Sequence, residues 1–170
     1  MCPTDWNPPQ RKPLRRRLHR LDSVFAEHPI YFLTLCVRAR RRALDNAHVH
    51  AALVRFGDQG SAHGCHLGRY VLMPDHVHAF VAFNRAGCPA AAAVSSWVKA
   101  LKGCVSRAWR GAGHGGVRWQ KGFFDHVLRT SDAYSTKWEY VAMNPVRAGL
   151  VEQPDAWPFQ GEICRLEGPL

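Results

Sequence analysis

The sequence has few acidic residues for its length. Across 170 residues, 13 Asp and Glu stand against 23 Lys and Arg, which gives a formal net charge of +10. Such an excess makes a polyanion the default partner, and nucleic acid is preferred over a membrane surface because no amphipathic basic segment stands out. The stretch RKPLRRRLHR, residues 11–20, carries six of the positive charges. We interpret residues 1–28 as a basic N-terminal arm.

Four further features are missing. The six cysteines form no CxxC pair, and their wide spacing argues against a zinc knuckle or a small disulfide scaffold. No apolar run approaches the roughly 20 residues of a membrane helix, and no apolar signal-peptide core follows the basic N-terminus. The segment GAGHGG, residues 111–116, lacks the GK[ST] of a phosphate-binding loop and is interpreted as a flexible connection. We therefore expect a soluble cytoplasmic protein, associated with the nucleoid and without a membrane partner.

The pattern of apolar residues predicts one domain of mixed structure over residues 29–160, followed by a tail at 161–170. Strands are predicted at residues 29–37, 65–73, 76–83 and 123–129. Helices are predicted from a cap at Asn46 to the glycines at 57–60, from Pro89 to about Arg110, and from Thr130 or Ser131 to about Asn144, where Pro145 limits the helix. The order β α β β α β α matches a ferredoxin-like α/β sandwich, an α+β fold with an antiparallel sheet, and an appended C-terminal helix.

Two histidines lie one residue apart at the start of the third predicted strand. Side chains alternate between the faces of a strand, so His76 and His78 share one face, with their alpha carbons roughly 6.6 Å apart. Two neutral imidazoles at this separation can chelate one cation. An isolated pair of this kind is also found as two ordinary residues of a polar face. No cysteine lies at a spacing that would complete a closed zinc site, so a bound metal would keep open positions.

The last predicted helix offers a third ligand and a nucleophile. Tyr140 and Asn144 are four residues apart and so lie on one helical face. An amide oxygen can bind a hard metal, although a helix aromatic and a helix-terminal asparagine are the ordinary interpretation of each residue alone. Tyr134 is the rival tyrosine, but it lies about 80° from Asn144 around the helix, against about 40° for Tyr140. We therefore favour Tyr140.

These motifs together resemble a known family. MPDHVH, then FFDHVLR, then EYVAMNPVRAGLV and PDAWPF are similar to the single-tyrosine HUH transposases, in particular the REP-associated tyrosine transposase branch. The resemblance covers residues 29–159. It implies a divalent metal, Mg²⁺ or Mn²⁺, held by His76 and His78 with Asn144 as a further ligand. It also implies that Tyr140 is the nucleophile and that the substrate is single-stranded DNA folded into a hairpin.

Basic and aromatic residues outside these motifs are candidates for DNA contact. The predicted DNA-binding residues are Arg38, Arg40, Arg41, Arg42, Lys99 and Lys102. Three tryptophans could stack on unpaired bases, namely Trp97, Trp109 and Trp119. Trp97, however, lies on the apolar face of its predicted helix and is more typical of a core residue. His126 either approaches the site from the fourth strand or is a buried strand residue with a structural hydrogen bond, and we favour the second interpretation. Asp75 is interpreted as part of the turn before the histidine pair.

Two classes of function fit these observations. The first is a transposase, a metal-dependent endonuclease and strand transferase that works through a 5′-phosphotyrosine. The second is a DNA-binding module of the same fold that does not cut. A zinc-dependent hydrolase is a third alternative, and its activity would survive the loss of Tyr140. A monomer and a homodimer both stay open, as does action of the tyrosine within or between subunits.

Overall fold

The computed structural model describes residues 29–84, 90–128 and 130–166. The interpretation of residues 1–28 as an arm therefore lies outside the described residues. Within the described part of the chain the elements are β1 (Ile30–Cys36), α1 (Ala47–Ser61), β2 (Cys65–Met73), β3 (His76–Phe83), α2 (Ala90–Gly111), β4 (Phe124–Leu128), α3 (Ser131–Ala142), α4 (Asn144–Arg147) and β5 (Gln160–Glu162). None of the helices in this part is both long and apolar enough to cross a bilayer.

The five strands form one sheet in the order β4-β1-β3-β2-β5, and every neighbouring pair is antiparallel. The first four follow the predicted order of a ferredoxin-like sheet, so the predicted α+β fold is confirmed. Strand β5 was not predicted, because its three residues, QGE, carry no apolar alternation. This strand extends past residue 160, where the sequence prediction ends the domain. Gly161 lets it approach β2 closely, since a Cβ at this position would lie 2.8 Å from the Tyr70 hydroxyl oxygen.

The hairpin of β2 and β3 has the two-residue turn that the sequence predicts. Met73 pairs with His76, so Pro74 and Asp75 form the turn and His76 stands on its first rung. The chain after β1 holds this turn in place, because the Val37 amide donates to the Asp75 carbonyl over 2.8 Å.

Helix α1 begins where predicted but ends later. The Asn46 side chain accepts a hydrogen bond of 3.0 Å from the Val49 amide, which is the expected cap. The predicted stop at the glycines of positions 57–60 is wrong, because the helix continues to Ser61. These glycines allow close packing instead. A Cβ at Gly57 would overlap the Ile163 Cδ1 atom, and one at Gly60 would lie 2.8 Å from the Cys65 carbonyl oxygen.

Two hydrophobic clusters lie on opposite faces of the sheet. Helices α1 and α2 cover one face, and α3 with the chain that leads to β5 covers part of the other. Two of the tryptophans considered for base stacking belong to the first cluster, Trp97 at 4% exposure and Trp109 at 1%. The third, Trp119, is half-buried and donates its indole N–H to the Lys102 carbonyl over 3.1 Å. Base stacking on Trp97 or Trp109 is therefore excluded.

The predicted last helix is divided into two. Thr130 caps α3, accepting a hydrogen bond of 3.1 Å from the Ala133 amide. The helix ends at Ala142, and Asn144 begins α4, with Pro145 in the first turn, where a missing N–H costs nothing. The predicted end near Asn144 is thus corrected, and the wheel angle between Tyr140 and Asn144 no longer applies to one continuous helix.

Candidate active site

The two histidines point their rings at each other. Their Nε2 atoms are 3.1 Å apart, and both rings lie on the sheet face that α3 partly covers. His76 Nδ1–H donates to the Asp75 carboxylate over 2.6 Å, and Thr34 Oγ1 lies 2.9 Å from His78 Nδ1. With the protons on both Nδ1 atoms, the lone pairs of both Nε2 atoms face the same point. This is the arrangement in which two imidazoles can bind one cation.

Asp75 has a larger role than that of a turn residue. Burial alone would raise the pKa of its carboxyl, but the hydrogen bond from His76 and the nearby positive charges outweigh burial and lower the pKa. One of these charges is Arg40, whose guanidinium lies 3.2 Å from the other carboxylate oxygen. Asp75 therefore stays ionised and fixes the orientation of the His76 ring. The position of Asp75 directly before the pair could have indicated its contact with His76. Nothing in the local sequence indicated the contact of Thr34 with His78.

His78 lies in an environment that disfavours its charged form. Burial is the largest of the effects that lower its pKa to about 3. Positive charge nearby adds to burial, and it comes from His76, Lys137, Arg147 and Arg40. The imidazole is therefore neutral near pH 7, which is the state that binds a metal.

Tyr140 is exposed beside a cation. Its side chain is 62% accessible, and the Arg147 guanidinium carbon lies 4.1 Å from the centre of its ring. Arg147 also donates to the Tyr140 carbonyl over 2.5 Å and to the Asn144 side-chain oxygen. The predicted nucleophile and the predicted third ligand are thus brought together, through an arginine that the sequence analysis did not single out. The spacing of Asn144 and Arg147, which are about one helical turn apart, could have indicated this contact.

A chain of ring contacts connects α3 to the histidine pair. The Lys137 ammonium lies 5.8 Å from the centre of the Tyr140 ring and 5.4 Å from that of Phe32. The Phe32 ring in turn stacks on His78, with centres 5.3 Å apart and planes 21° apart. Tyr140 and the histidines therefore belong to the same side of the sheet.

The rival tyrosine faces the core. Tyr134 is only 7% exposed, its ring lies 5.0 Å from that of Phe80, and burial raises the pKa of its hydroxyl. A phosphate could not reach this hydroxyl without movement of the packed rings.

The predicted DNA-binding residues fall into two groups. The first group is exposed around the β2–β3 turn and after β1, and consists of Arg38, Arg40, Arg41 and Arg42. The second group lies on α2, which covers the opposite face from the histidines. There, Lys99 is exposed, whereas Lys102 is half-buried and donates to the carbonyls of Gln120 and Gly122 over 3.0 and 2.7 Å. Of the predicted DNA-binding residues, the structure thus places Arg40 next to the histidine pair. Two cations that were not predicted, Lys137 and Arg147, lie on the same side of the sheet.

The prediction that His126 is buried is wrong. His126 is exposed on β4 and pairs with Phe32, so it lies on the same face as His78. Its strand is at one end of the sheet order, and Leu128 is the residue of β4 that joins the buried cluster beside α3.

An antiparallel ferredoxin-like sheet with two converging imidazoles and an exposed tyrosine on the helix after β4 is the layout that the sequence motifs predict. The sequence profile of a family described as "Transposase IS200 like" matches residues 27–144. This match extends over well more than half of the chain, which therefore belongs to the IS200-like transposase family. The resemblance to transposases of this kind that the motifs indicate is confirmed.

Two individual relatives are similar to the chain. The REP-associated tyrosine transposase of Escherichia coli K12 is 39% identical over 41 residues, which cover 24% of this chain and 25% of that protein. The aligned part thus spans about a quarter of the curated relative. A solved structure, described as a REP-associated tyrosine transposase bound to a REP hairpin, has a TM-score of 0.61 at 20% identity and covers 84% of this chain and 91% of its own. At this identity the likeness concerns the fold.

Proposed function

We propose that this chain cuts and rejoins single-stranded, hairpin-flanked DNA through a 5′-phosphotyrosine on Tyr140, with Mg²⁺ or Mn²⁺ at His76 and His78. The observation that carries the proposal is the 3.1 Å approach of the two Nε2 atoms, on the sheet face where α3 presents an exposed tyrosine. The hairpin named in the description of the structural neighbour supports the choice of substrate.

The donors present fit a divalent metal. Two nitrogens that share one ion at bonds of about 2.0–2.1 Å must lie within about 4 Å of each other, and these two do. Asn144 would add an oxygen, since a carbonyl oxygen has two lone pairs and Arg147 uses one. The remaining described residues offer no cluster of three or more His, Cys, Asp or Glu, so the ion would keep open positions. When bound, it supplies charge that neutralises a phosphate oxygen and the leaving oxygen.

The residues of the chain have separate roles in strand transfer. The Tyr140 oxygen forms a bond to phosphorus while the bond from phosphorus to the 3′ oxygen breaks; the phenol loses its proton, and the 3′ oxygen gains one. Lys137 and Arg147, which lie next to the Tyr140 ring, stabilise negative charge as it develops. Because the phosphotyrosine keeps the energy of the broken bond, a 3′-hydroxyl can reverse the reaction and rejoin DNA.

The contact of Lys137 with Phe32, and of Phe32 with His78, supports action of Tyr140 within its own subunit. A homodimer with exchanged helices is the alternative. If Tyr140 acts within its own subunit, a mixture of the Tyr140→Phe and His78→Gln proteins should give no adduct beyond that of each variant alone. Recovery of adduct in the mixture would show transfer between subunits.

The decisive experiment measures a covalent adduct. Wild-type protein incubated with hairpin oligonucleotides and Mn²⁺ should form a protein–DNA species that survives denaturant, and Tyr140→Phe should form none. Tyr134→Phe is the matched control on the same helix and should keep the adduct. If no hairpin gives an adduct while salt-sensitive binding persists, the non-cutting DNA-binding module is the function. Cleavage that survives Tyr140→Phe would indicate a hydrolase.

A further inference from the structure

Two basic segments lie side by side at the end of the sheet where the histidine pair begins. Residues 37–42, VRARRR, follow β1, and residues 116–121, GVRWQK, precede β4; together they contain no Asp or Glu. An antiparallel bridge joins the two segments, and beside it the Arg38 amide donates to the Arg118 carbonyl over 2.8 Å. Arg38 therefore stands opposite Arg118.

Three arginines of these segments lack an acidic partner. Arg38, Arg41 and Arg118 are exposed, and none of them makes an ion pair within the described part of the chain. Arg41 also reaches across to the second segment, where its Nη1 donates to the Gly116 carbonyl over 3.4 Å. Like charges that stand opposite each other on paired segments destabilise a protein. We call these three residues the arginine ridge, a surface that a bound polyanion would stabilise.

The arginine ridge adjoins the histidine pair through Arg40. The Arg40 Nη1 atom lies 3.2 Å from one carboxylate oxygen of Asp75, and the other oxygen accepts from His76. Ala39 and Arg40 have φ angles of 55° and 53°, a left-handed conformation that residues with a side chain rarely adopt. Such conformations persist only where surrounding contacts hold them, and they cluster at functional sites. This turn brings Arg40 to Asp75 while the arginine ridge stays exposed.

The arginine ridge offers cations without exposed aromatic rings. The one aromatic residue of the two segments is Trp119, which is half-buried. Its ring lies 4.7 Å from that of Trp109, and its indole N–H donates to the Lys102 carbonyl over 3.1 Å. Proteins that bind unpaired strands combine cations with aromatic rings on which the bases stack. A duplex keeps its bases stacked inside and presents the phosphates of both strands, so it needs only the cations.

We propose that the arginine ridge binds the phosphate backbone of the duplex stem of the hairpin. The stem then ends beside Asp75 and His76, from where the unpaired strand continues to the histidine pair. The inference rests on the proposed function for the hairpin and for the place of cutting. Binding of the stem itself requires neither the metal nor Tyr140.

Binding should be measured in the Tyr140→Phe protein without divalent metal, so that the DNA stays intact. The probes are a hairpin oligonucleotide with an unpaired flank and an unpaired oligonucleotide of the same length, which carries the same number of phosphates. In this background, Arg38→Gln and Arg118→Gln should each weaken binding of the hairpin by about 5- to 10-fold at about 0.1 M salt. Each should also lower the slope of log affinity against log salt concentration by about 0.9. Binding of the unpaired oligonucleotide should not change.

Two control variants separate the charge of the arginine ridge from other effects. Arg38→Lys keeps the charge and should bind the hairpin like its parent. Arg55→Gln removes an exposed arginine of α1 that also makes no ion pair with the described residues, and it should leave both affinities unchanged. Thermal melts without DNA should show no loss of stability in Arg38→Gln or Arg118→Gln, because either substitution removes a pair of opposed like charges.

Equal losses for the two oligonucleotides would put unpaired DNA on the arginine ridge, and unchanged binding of the hairpin would leave the ridge without a DNA contact. Either result would overturn the proposal. If the loss is specific to the hairpin but the wild-type protein forms no adduct through Tyr140, the stem site is kept and strand transfer is disproved. If the adduct forms while both glutamine variants bind the hairpin normally, only the stem site is disproved.

Discussion

Arg147 lies against Tyr140 in two ways at once. Its guanidinium faces the aromatic ring at 4.1 Å, and it donates to the carbonyl oxygen of the same residue over 2.5 Å. A second hydrogen bond runs to the Asn144 side chain. One side chain thus sets the position of the proposed nucleophile relative to the proposed amide ligand across the break between α3 and α4.

Arg147→Lys tests this arrangement. Lysine keeps the charge but has neither the planar face for the ring nor the fork for two acceptors. Since hydrogen bonds to charged groups contribute about 1.5–3 kcal/mol, we expect adduct formation with Tyr140 to slow by about 10- to 100-fold. The affinity for uncut hairpin DNA should change much less. Rates of adduct formation and equilibrium binding, measured side by side, separate the two effects. A wild-type rate would show that Arg147 does not position Tyr140.

Asp75→Asn should weaken metal binding. The carboxylate holds His76 through Nδ1, and loss of such a partner typically costs 10- to 100-fold in metal affinity. Asp45→Asn is a close control, because Asp45 also pairs with an arginine and is as exposed, at 21% against 22% for Asp75. Calorimetric titration with Mn²⁺ should show the loss in the first variant alone. Equal affinities would mean that the ion does not bind at His76.

Two helical glycines should respond oppositely to alanine. At Gly60, the new Cβ would lie 2.8 Å from the Cys65 carbonyl oxygen, which belongs to the backbone and cannot move cheaply. At Gly103, on α2, the nearest atom would be 3.8 Å away at the end of the Arg107 side chain. We expect Gly60→Ala to lower the free energy of unfolding by about 1–3 kcal/mol and Gly103→Ala to raise it by up to about 1 kcal/mol. Urea titrations measure both. Stabilisation by Gly60→Ala would show that close packing against Cys65 does not require glycine at this position.

The glycines of α1, Gly57 and Gly60, mark the limit of inference from sequence. Their contacts are with Ile163 and Cys65, and spacing within α1 carries no information about these partners. The first four strands, by contrast, follow from local composition and alternation, and so does the shared face of His76 and His78. Thr34 and Arg147 acquire their roles only when the chain folds, because strand pairing and the break at Pro145 bring them to the histidines and the tyrosine. His126 was misjudged because a strand pattern does not reveal which part of a face a later helix covers.

Tyr31→Phe should stabilise the protein at pH 7. This phenol is 1% exposed, and its hydroxyl has no hydrogen-bond partner among the described residues. A buried unsatisfied group costs about 1–3 kcal/mol, so its removal should raise the free energy of unfolding by an amount in that range. Tyr70→Phe is the matched control, since the Tyr70 hydroxyl lies 2.7 Å from His50 Nε2 and its loss should destabilise.

The two variants should behave alike in alkali. Burial is the larger cause that raises the pKa of each phenol to about 12, against about 10 when unfolded, and the charge of Asp125 adds to it for Tyr31 and that of Asp58 for Tyr70. Between these values the folded chain retains a proton that the unfolded chain has lost. The titration of each phenol therefore leaves stability unchanged below pH 10 and lowers it as the pH rises from 10 towards 12, at up to about 1.4 kcal/mol per pH unit. Urea unfolding between pH 9 and 11.5 should show a steep decline in the wild type and a shallower one in either variant. An unchanged slope in Tyr31→Phe would mean that this phenol ionises equally in both states.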